Sequence, residues 1–444
     1  MRELGGTPPS PSRLREGLGE GILASNDLWP LPFPSPSRKR EGSSEVDRRS
    51  FLAGALALPL LPSTTDTRAA LDEAAALPPA EALVRLAAID TRRLATRERL
   101  DVEAARAGLA IDRDLARFGG SAKQGYRPEP GSMARLPQGA DWYRLLLGRS
   151  LGTVEPRAAQ ARLAQAMTAL QARADRGFRA IGLTRGSVAD RYRALWQDER
   201  FLFADDDAGR AAAVAAMTRE LDAARGRVPV QVGAVPAWAA ACSVRALSPA
   251  EIAAGKNGYR IVPTPTAPGA YIVDLRAVRR RPAWTLPSVV AHELLPGHMS
   301  QLGLEGTAPP HPLRITYAAA FVEGWGIQAE TVAPYADPHA RLGHLHWLIF
   351  RVGRALADIG FHHDGWSADE TRARLVGWQG EPAYFAPFDV ELARIPREPA
   401  SRAAEALAWL GIADGARRSS VAGARGYYQR LLADGRRRTE QLAG

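Results

Sequence analysis

The heptapeptide His292-Glu293-Leu294-Leu295-Pro296-Gly297-His298 sets two imidazoles around a carboxylate, inside a run that otherwise has the apolar character of a buried helix. Any fold that buries this run must satisfy three ionisable groups at once. Zinc hydrolysis needs such a set: neutral imidazoles hold the ion, an adjacent Glu takes a proton from water, and one coordination position stays open for substrate. His292 and His298 are therefore the candidate metal ligands, and Glu293 is the candidate general base. A third ligand must come from elsewhere. Ala320-Phe321-Val322-Glu323-Gly324-Trp325 offers Glu323, 25 residues beyond His298, a distance that suits a second helix folding back on the first. Glu330, two helical turns on, is either a group that orients a ligand imidazole from behind or a surface residue.

The spacing inside the heptapeptide departs from the usual zinc helix, which carries its histidines at i and i+4. At about 100° per residue, six steps turn the two side chains roughly 120° apart on a straight helix. Pro296-Gly297 supplies the remedy. Proline removes a backbone donor and glycine accepts unusual dihedrals, so a bulge or kink here is expected to swing His298 back toward His292.

Apolar residues recur at helical spacing over residues 79–118, 156–179, 208–225, 313–332, 338–361, 367–376 and 421–441, so the fold is predicted to be mainly α. The exception is 258–275, where Tyr259-Arg260-Ile261-Val262 and Ala270-Tyr271-Ile272-Val273-Asp274 flank a proline-rich turn and predict two short strands. Arg351 and Arg354 stand one turn apart on a predicted helix, with Asp358 a turn beyond. Facing a cleft, a guanidinium there would hold a substrate carboxylate; a salt bridge to Asp358 is the simpler account.

Taken in order, these blocks resemble a bacterial metallopeptidase-like family catalogued as domain of unknown function number 885. Its pattern H-E-x-x-P-G-H is followed by E-G-W with a second acid seven positions on, here Glu323-Gly324-Trp325 and Glu330. An arginine-rich helix ending in D-x-G-x-H and then a G-W pair match Arg351, Arg354, Asp358, Gly360, His362 and Gly365-Trp366. Upstream, Leu136-Pro137-Gln138-Gly139-Ala140-Asp141-Trp142-Tyr143 and Pro268-Gly269-Ala270-Tyr271-Ile272-Val273-Asp274 extend the likeness over most of residues 80–380. The family is similar to the mostly helical zinc peptidases that use two His and a downstream Glu as ligands. That likeness implies a large helical domain with a small β-sheet bordering the active-site cleft, one zinc ion on His292, His298 and Glu323, and His362 near the metal as an oxyanion donor. It also assigns an edge strand that pairs with extended substrate, which places Tyr271 among the substrate-binding candidates; a sheet that only braces the core fits the residues equally well. Where family members have P-G-Q-A and then a tyrosine, this chain has Glu381-Pro382-Ala383-Tyr384, which makes Tyr384 the weakest catalytic candidate.

Arg48-Arg49-Ser50-Phe51-Leu52 and the apolar run to Leu61 resemble a twin-arginine export signal, so residues 46–69 are expected to be a signal segment and the protein periplasmic or extracellular, with an uncleaved anchor as the alternative. The run is too short to span a bilayer, which takes roughly 20 residues. Residues 1–45 are rich in Pro, Ser and Gly, and Pro9-Ser10-Pro11-Ser12-Arg13 recurs as Pro34-Ser35-Pro36-Ser37-Arg38. This stretch is expected to be disordered and to precede the true start near Val46; peptides from it in the native protein would overturn that expectation. Residues 70–444 are expected to form the helical metallohydrolase domain.

The formal charge of +10 invites a nucleic-acid partner, but the arginines are interleaved with acids, as in Arg92-Arg93 to Arg99 beside Glu98, Asp101 and Glu103. That is the pattern of solvated helix faces, and no recognition module accompanies it. Cys242 is alone, so there is no intrachain disulfide. The residues together predict a zinc-dependent hydrolase, foremost a peptidase acting on peptide or small amide substrates. An amidase or esterase for a non-peptide substrate, and a metal- or peptide-binding protein without turnover, are the alternatives.

Overall fold

Helix-forming, alanine-rich sequence dominates the computed structural model, which describes residues 64–120, 125–419 and 421–442. The first half contains α1 (Thr64–Ala76), α2 (Pro79–Ala87), α3 (Thr96–Leu115), α4 (Gly139–Leu151), α5 (Pro156–Ala180), α6 (Val188–Trp196) and α7 (Asp207–Gln231). A small sheet follows, of β1 (Cys242–Ala246), β2 (Tyr259–Ile261) and β3 (Gly269–Val273), with α8 (Pro249–Ala253) between the first two strands. The chain then returns to helix in α9 (Leu286–Glu293), α10 (His298–Thr307), α11 (Pro312–Tyr317), α12 (Ala320–Val332) and α13 (Pro338–His362). It ends in α14 (Ala368–Gln379), α15 (Phe388–Arg394), α16 (Ser401–Arg418) and α17 (Val421–Asp434). The mainly α expectation holds.

Local chemistry explains the long helices. In α5, Pro156 occupies the first turn, and Ala159, Leu163, Met167, Leu170, Ala174 and Phe178 recur at three- and four-residue steps as one buried stripe. α13 starts at Asp337, whose carboxylate accepts from the backbone N–H groups of His339 and Ala340, and nearly all of its residues from Ala340 onward are buried. A helix apolar on every side belongs at the centre of a bundle. α13 packs against α5, α14, α16 and α9, and α12 packs between α16 and α9. Two large apolar cores thus share α13: Leu345, Leu348 and Val352 face one, and Trp347 and Phe350 face the other.

Three predicted helices are interrupted. The 79–118 stretch breaks between α2 and α3, where the Asp90 side chain accepts from Arg92 N and caps a short turn. The 313–332 stretch divides at Ala318-Ala319, and the 421–441 stretch leaves α-helix at Asp434. The two predicted strands pair antiparallel, Arg260 opposite Tyr271, but β1 joins them on the far side, parallel to β3. The order is β1-β3-β2, so Tyr271 lies on the central strand. Both edges of β3 are already hydrogen-bonded, and Tyr271 therefore does not occupy an edge that could receive a substrate backbone. Among the described residues β2 is the short edge strand on that side.

The expectations of a disordered stretch over residues 1–45 and of an export signal from Arg48 to Leu61 fall outside the described residues. α1 begins at Thr64, inside the span assigned to the signal segment, and packs Leu71 and Ala74 against Leu86 and Val102. No helix among the described residues is long and apolar enough to cross a membrane.

Candidate metal centre

The helix carrying His292 stops one residue later. Leu294 leaves helical dihedrals with φ −113° and ψ −95°, the Leu295-Pro296 peptide is cis, and Gly297 opens α10 with φ −72° and ψ −137°. A Cβ at Gly297 would lie 1.9 Å from the His292 carbonyl oxygen, so the turn closes only on glycine. His292 thus ends one helix and His298 begins the next, and their rings meet at 87° with Nε2 atoms 3.1 Å apart. The i, i+6 spacing is resolved by two helices meeting at a corner rather than by a kink in one.

Glu323 comes to the same point from the first turn of α12. One carboxylate oxygen is 3.4 Å from His292 Nε2 and the other 3.4 Å from His298 Nε2. The rest of the E-G-W block supports this approach. Trp325 Nε1 donates to Pro296 O at 3.0 Å and fastens the corner. Gly326 makes room for the ring, since a Cβ there would sit 2.5 Å from His292 Cε1. One turn further, Glu330 Oε1 lies 2.8 Å from His292 Nδ1, and Ser288 donates to Glu330 Oε2 at 3.0 Å. With Nδ1–H directed at Glu330, the His292 Nε2 lone pair faces His298 and Glu323. That is the carboxylate–histidine arrangement that orients metal-binding imidazoles. Glu330 is 1 % exposed and is no surface residue.

Arg351 reaches in from α13. Its Nη2 is 3.3 Å from both ring nitrogens of His292 and 3.5 Å from Glu330, and its Nη1 is 3.6 Å from Glu323. Glu293 stands beside the ligands and is paired with Arg260 of β2. Burial and the Arg351 guanidinium oppose protonation of His292, yet the carboxylates of Glu323 and Glu330 push it up to about 9. Burial, helped by Arg260, pushes His298 below its ordinary value. Burial resists charge on Glu323, but His298 and His292 hold it well below the usual carboxylate range. Glu293 is lowered too: burial works to raise it, and Arg260, then His292 and His298, outweigh that. A cation held here would take the place of the His292 proton.

Other predicted residues lie elsewhere. His362 accepts from Met133 N at 3.4 Å through Nδ1 and directs Nε2 at Ile395 O, 2.8 Å away. Both ring nitrogens are engaged, and its Cα is about 16 Å along α13 from Arg351, so it is not placed to donate to an oxyanion at the cluster. Tyr384 lies under the Arg281 guanidinium, 3.5 Å from its ring centroid, and beside Trp347 and Phe385. Arg354 is buried between Glu391 and Glu405. Neither arginine pairs with Asp358, whose carboxylate accepts from Ala400 N and Ala403 N and caps α16. Residues without a sequence signal complete the surroundings: Arg260, 33 positions before Glu293, and Ser288, Tyr335 and His344 behind Glu330. His344 lies two turns before Arg351 on one helical face, the single regularity that could have found it.

The donor set is of the kind that holds a divalent metal ion. Zinc accepts imidazole nitrogen and carboxylate oxygen as ligands; here the two Nε2 atoms stand 3.1 Å apart and each is 3.4 Å from a different oxygen of Glu323. Glu323 Oε2, buried and facing this point, has no hydrogen-bond partner among the described residues. His292, His298 and Glu323 are also the one group of three or more such side chains, among the described residues, able to hold a metal ion.

Fold and site together define a mainly helical protein built round a buried His-His-Glu cluster at the corner of two helices. The chain belongs to the family described as "Bacterial protein of unknown function (DUF885)", which matches residues 53–391. In fold it is similar to "the putative lipoprotein from Colwellia psychrerythraea", with 18 % identity, a TM-score of 0.62, and 86 % of this chain and 69 % of that one covered. It is also similar to "a putative lipoprotein of unknown function from Shewanella oneidensis", with 14 % identity, a TM-score of 0.57, and 86 % and 73 % covered. No curated protein matches it.

Proposed function

We propose that the protein is a zinc-dependent hydrolase that cleaves peptide bonds. The observation that carries this reading is the convergence of His292 Nε2, His298 Nε2 and a Glu323 carboxylate with Glu293 alongside. When bound, zinc would supply Lewis acidity to a water and to the substrate carbonyl. His292, His298 and Glu323 would hold it, and Glu330 keeps the His292 tautomer and ring angle. Glu293 is the base that takes a proton from the attacking water and returns it to the leaving amine. Its pairing with Arg260 keeps it ionised between turnovers. The outer edge of β2 is the strand that can take up an extended substrate by main-chain hydrogen bonds. The fold neighbours described as lipoproteins support export, consistent with a twin-arginine-type signal over residues 46–69.

The Arg260–Glu293 ion pair favours one other reading, a metal- or peptide-binding protein in which the base is permanently occupied. Metal content by plasma mass spectrometry, with turnover of a peptide library, separates the two. Wild type should carry one zinc, His292→Ala and Glu323→Ala should lose it, and Glu293→Gln should keep it while losing about 100-fold or more in kcat. Wild type that neither contains nor takes up zinc would overturn the proposal. Zinc retained without turnover of peptides, N-acyl amides or esters would leave the binding protein.

A further inference from the structure

Exposure around the cluster is graded. The side chains of His298, Glu330, His292 and Arg351 are 0, 1, 5 and 5 % exposed, and Glu323 is 10 % exposed. Glu293 rises to 21 % and Arg260 to 28 %. Of the groups around the cluster, Arg260 and Glu293 therefore stand nearest to solvent. Arg260 is carried by β2, the three-residue edge strand of the sheet. Its Nη1 is paired with Glu293, and among the described residues Glu293 is the one carboxylate it is paired with. A guanidinium has five N–H donors in a planar fork that matches a carboxylate bidentately.

We infer that Arg260 recognises a substrate carboxylate, making free carboxyl-terminal peptides the class of substrate that this site takes. The inference rests on the hydrolase reading above for the word substrate, and on geometry alone for the binding. A carboxylate entering from solvent replaces Glu293 as the partner of Arg260, so that one event both anchors the peptide terminus and frees the base. The scissile bond then lies near the end of the chain, because Arg260 contacts Glu293 directly and Glu293 is adjacent to the ligand His292.

The probe is a mixture of N-acetylated tripeptides made once with free carboxyl termini and once as amides. Calorimetry on the chelated protein, where nothing turns over, should show the acids bound about tenfold or more tighter than the amides. Arg260→Gln should bring the two mixtures level. Arg260→Lys, which keeps the charge without the fork, should leave a smaller preference and serves if the Gln variant does not fold. No preference in wild type, no binding of either mixture at millimolar concentration, or a preference unchanged in the variants would overturn the inference. Zinc-loaded protein that binds acids selectively yet cleaves neither mixture would keep Arg260 in this role and remove the hydrolase reading.

Discussion

Glu330 governs the centre from behind. Its carboxylate accepts from His292 and Ser288 and stands 3.5 Å from Arg351, with 1 % of its side chain exposed. Burial opposes its charge, and the hydrogen bond from His292, with His344 and the Arg351 guanidinium close by, overcomes it, holding Glu330 far below the usual carboxylate range. An ionised carboxylate at Nδ1 makes the opposite nitrogen a better donor to a cation. Glu330→Gln keeps the shape and removes the charge, so zinc affinity is expected to fall about 10- to 100-fold with the fold intact. Chelator competition measures it. Unchanged affinity would mean that Arg351 and Ser288 orient the ring without help from the Glu330 charge.

At the scale of elements, α13 shows why part of the site was legible and part was not. Residues 351, 358 and 362 fall within roughly 40° of one another around the axis, so a pattern in sequence groups them. Height separates them: Arg351 meets the cluster, Asp358 caps α16, and His362 bonds to the segment before α4 and to Ile395. That the backbone leaves a straight helix near Pro296-Gly297 was readable, although as a kink rather than the corner between α9 and α10, and Glu323 was readable because its motif repeats a known ligand order. Arg260 was not, since strand pairing rather than local spacing brings it to Glu293. β1 alternates apolar and polar residues over only five positions, too few to stand out, and α16 is so rich in alanine that its periodicity is faint, and both went unread. His346, on the same α13, sits among Tyr192, Trp196 and Trp284 and directs Nε2 at Glu381 O at 2.9 Å. Burial pushes it from an ordinary value of 6.5 down to about 4. As pH falls through 6.5 the unfolded chain takes up this proton first, so stability is lost between there and about 4, by roughly 3 kcal/mol. Urea midpoints should fall over that window and fall less in His346→Gln; equal slopes would show that His346 stays solvated.

Across the whole molecule, the C-terminal segment ties the amino-terminal helices to the body. The run Arg436-Arg437-Arg438 is among the densest basic stretches in the sequence, yet it is not a surface patch. Arg436 pairs with buried Glu305 of α10, and Arg438, 1 % exposed, donates to Tyr317 O at 2.7 Å and to Arg149 O and Gly148 O at 3.0 Å each. Tyr317 and Arg149 both bond Asp112 on α3, so one guanidinium closes a network linking α3, α4, α11 and the chain end. Carbonyls at helix ends need donors when buried, and arginine supplies several from one side chain. Arg438→Met retains the apolar stem and removes every donor. Each carbonyl left unsatisfied costs about 1–3 kcal/mol, so the variant should lose about 3 kcal/mol or more in urea unfolding, at unchanged m. Zinc content should be unaffected in the folded fraction, because the network does not touch His292, His298 or Glu323. A loss below about 1 kcal/mol would mean that water reaches these carbonyls and that the amino-terminal helices are held by their apolar contacts alone.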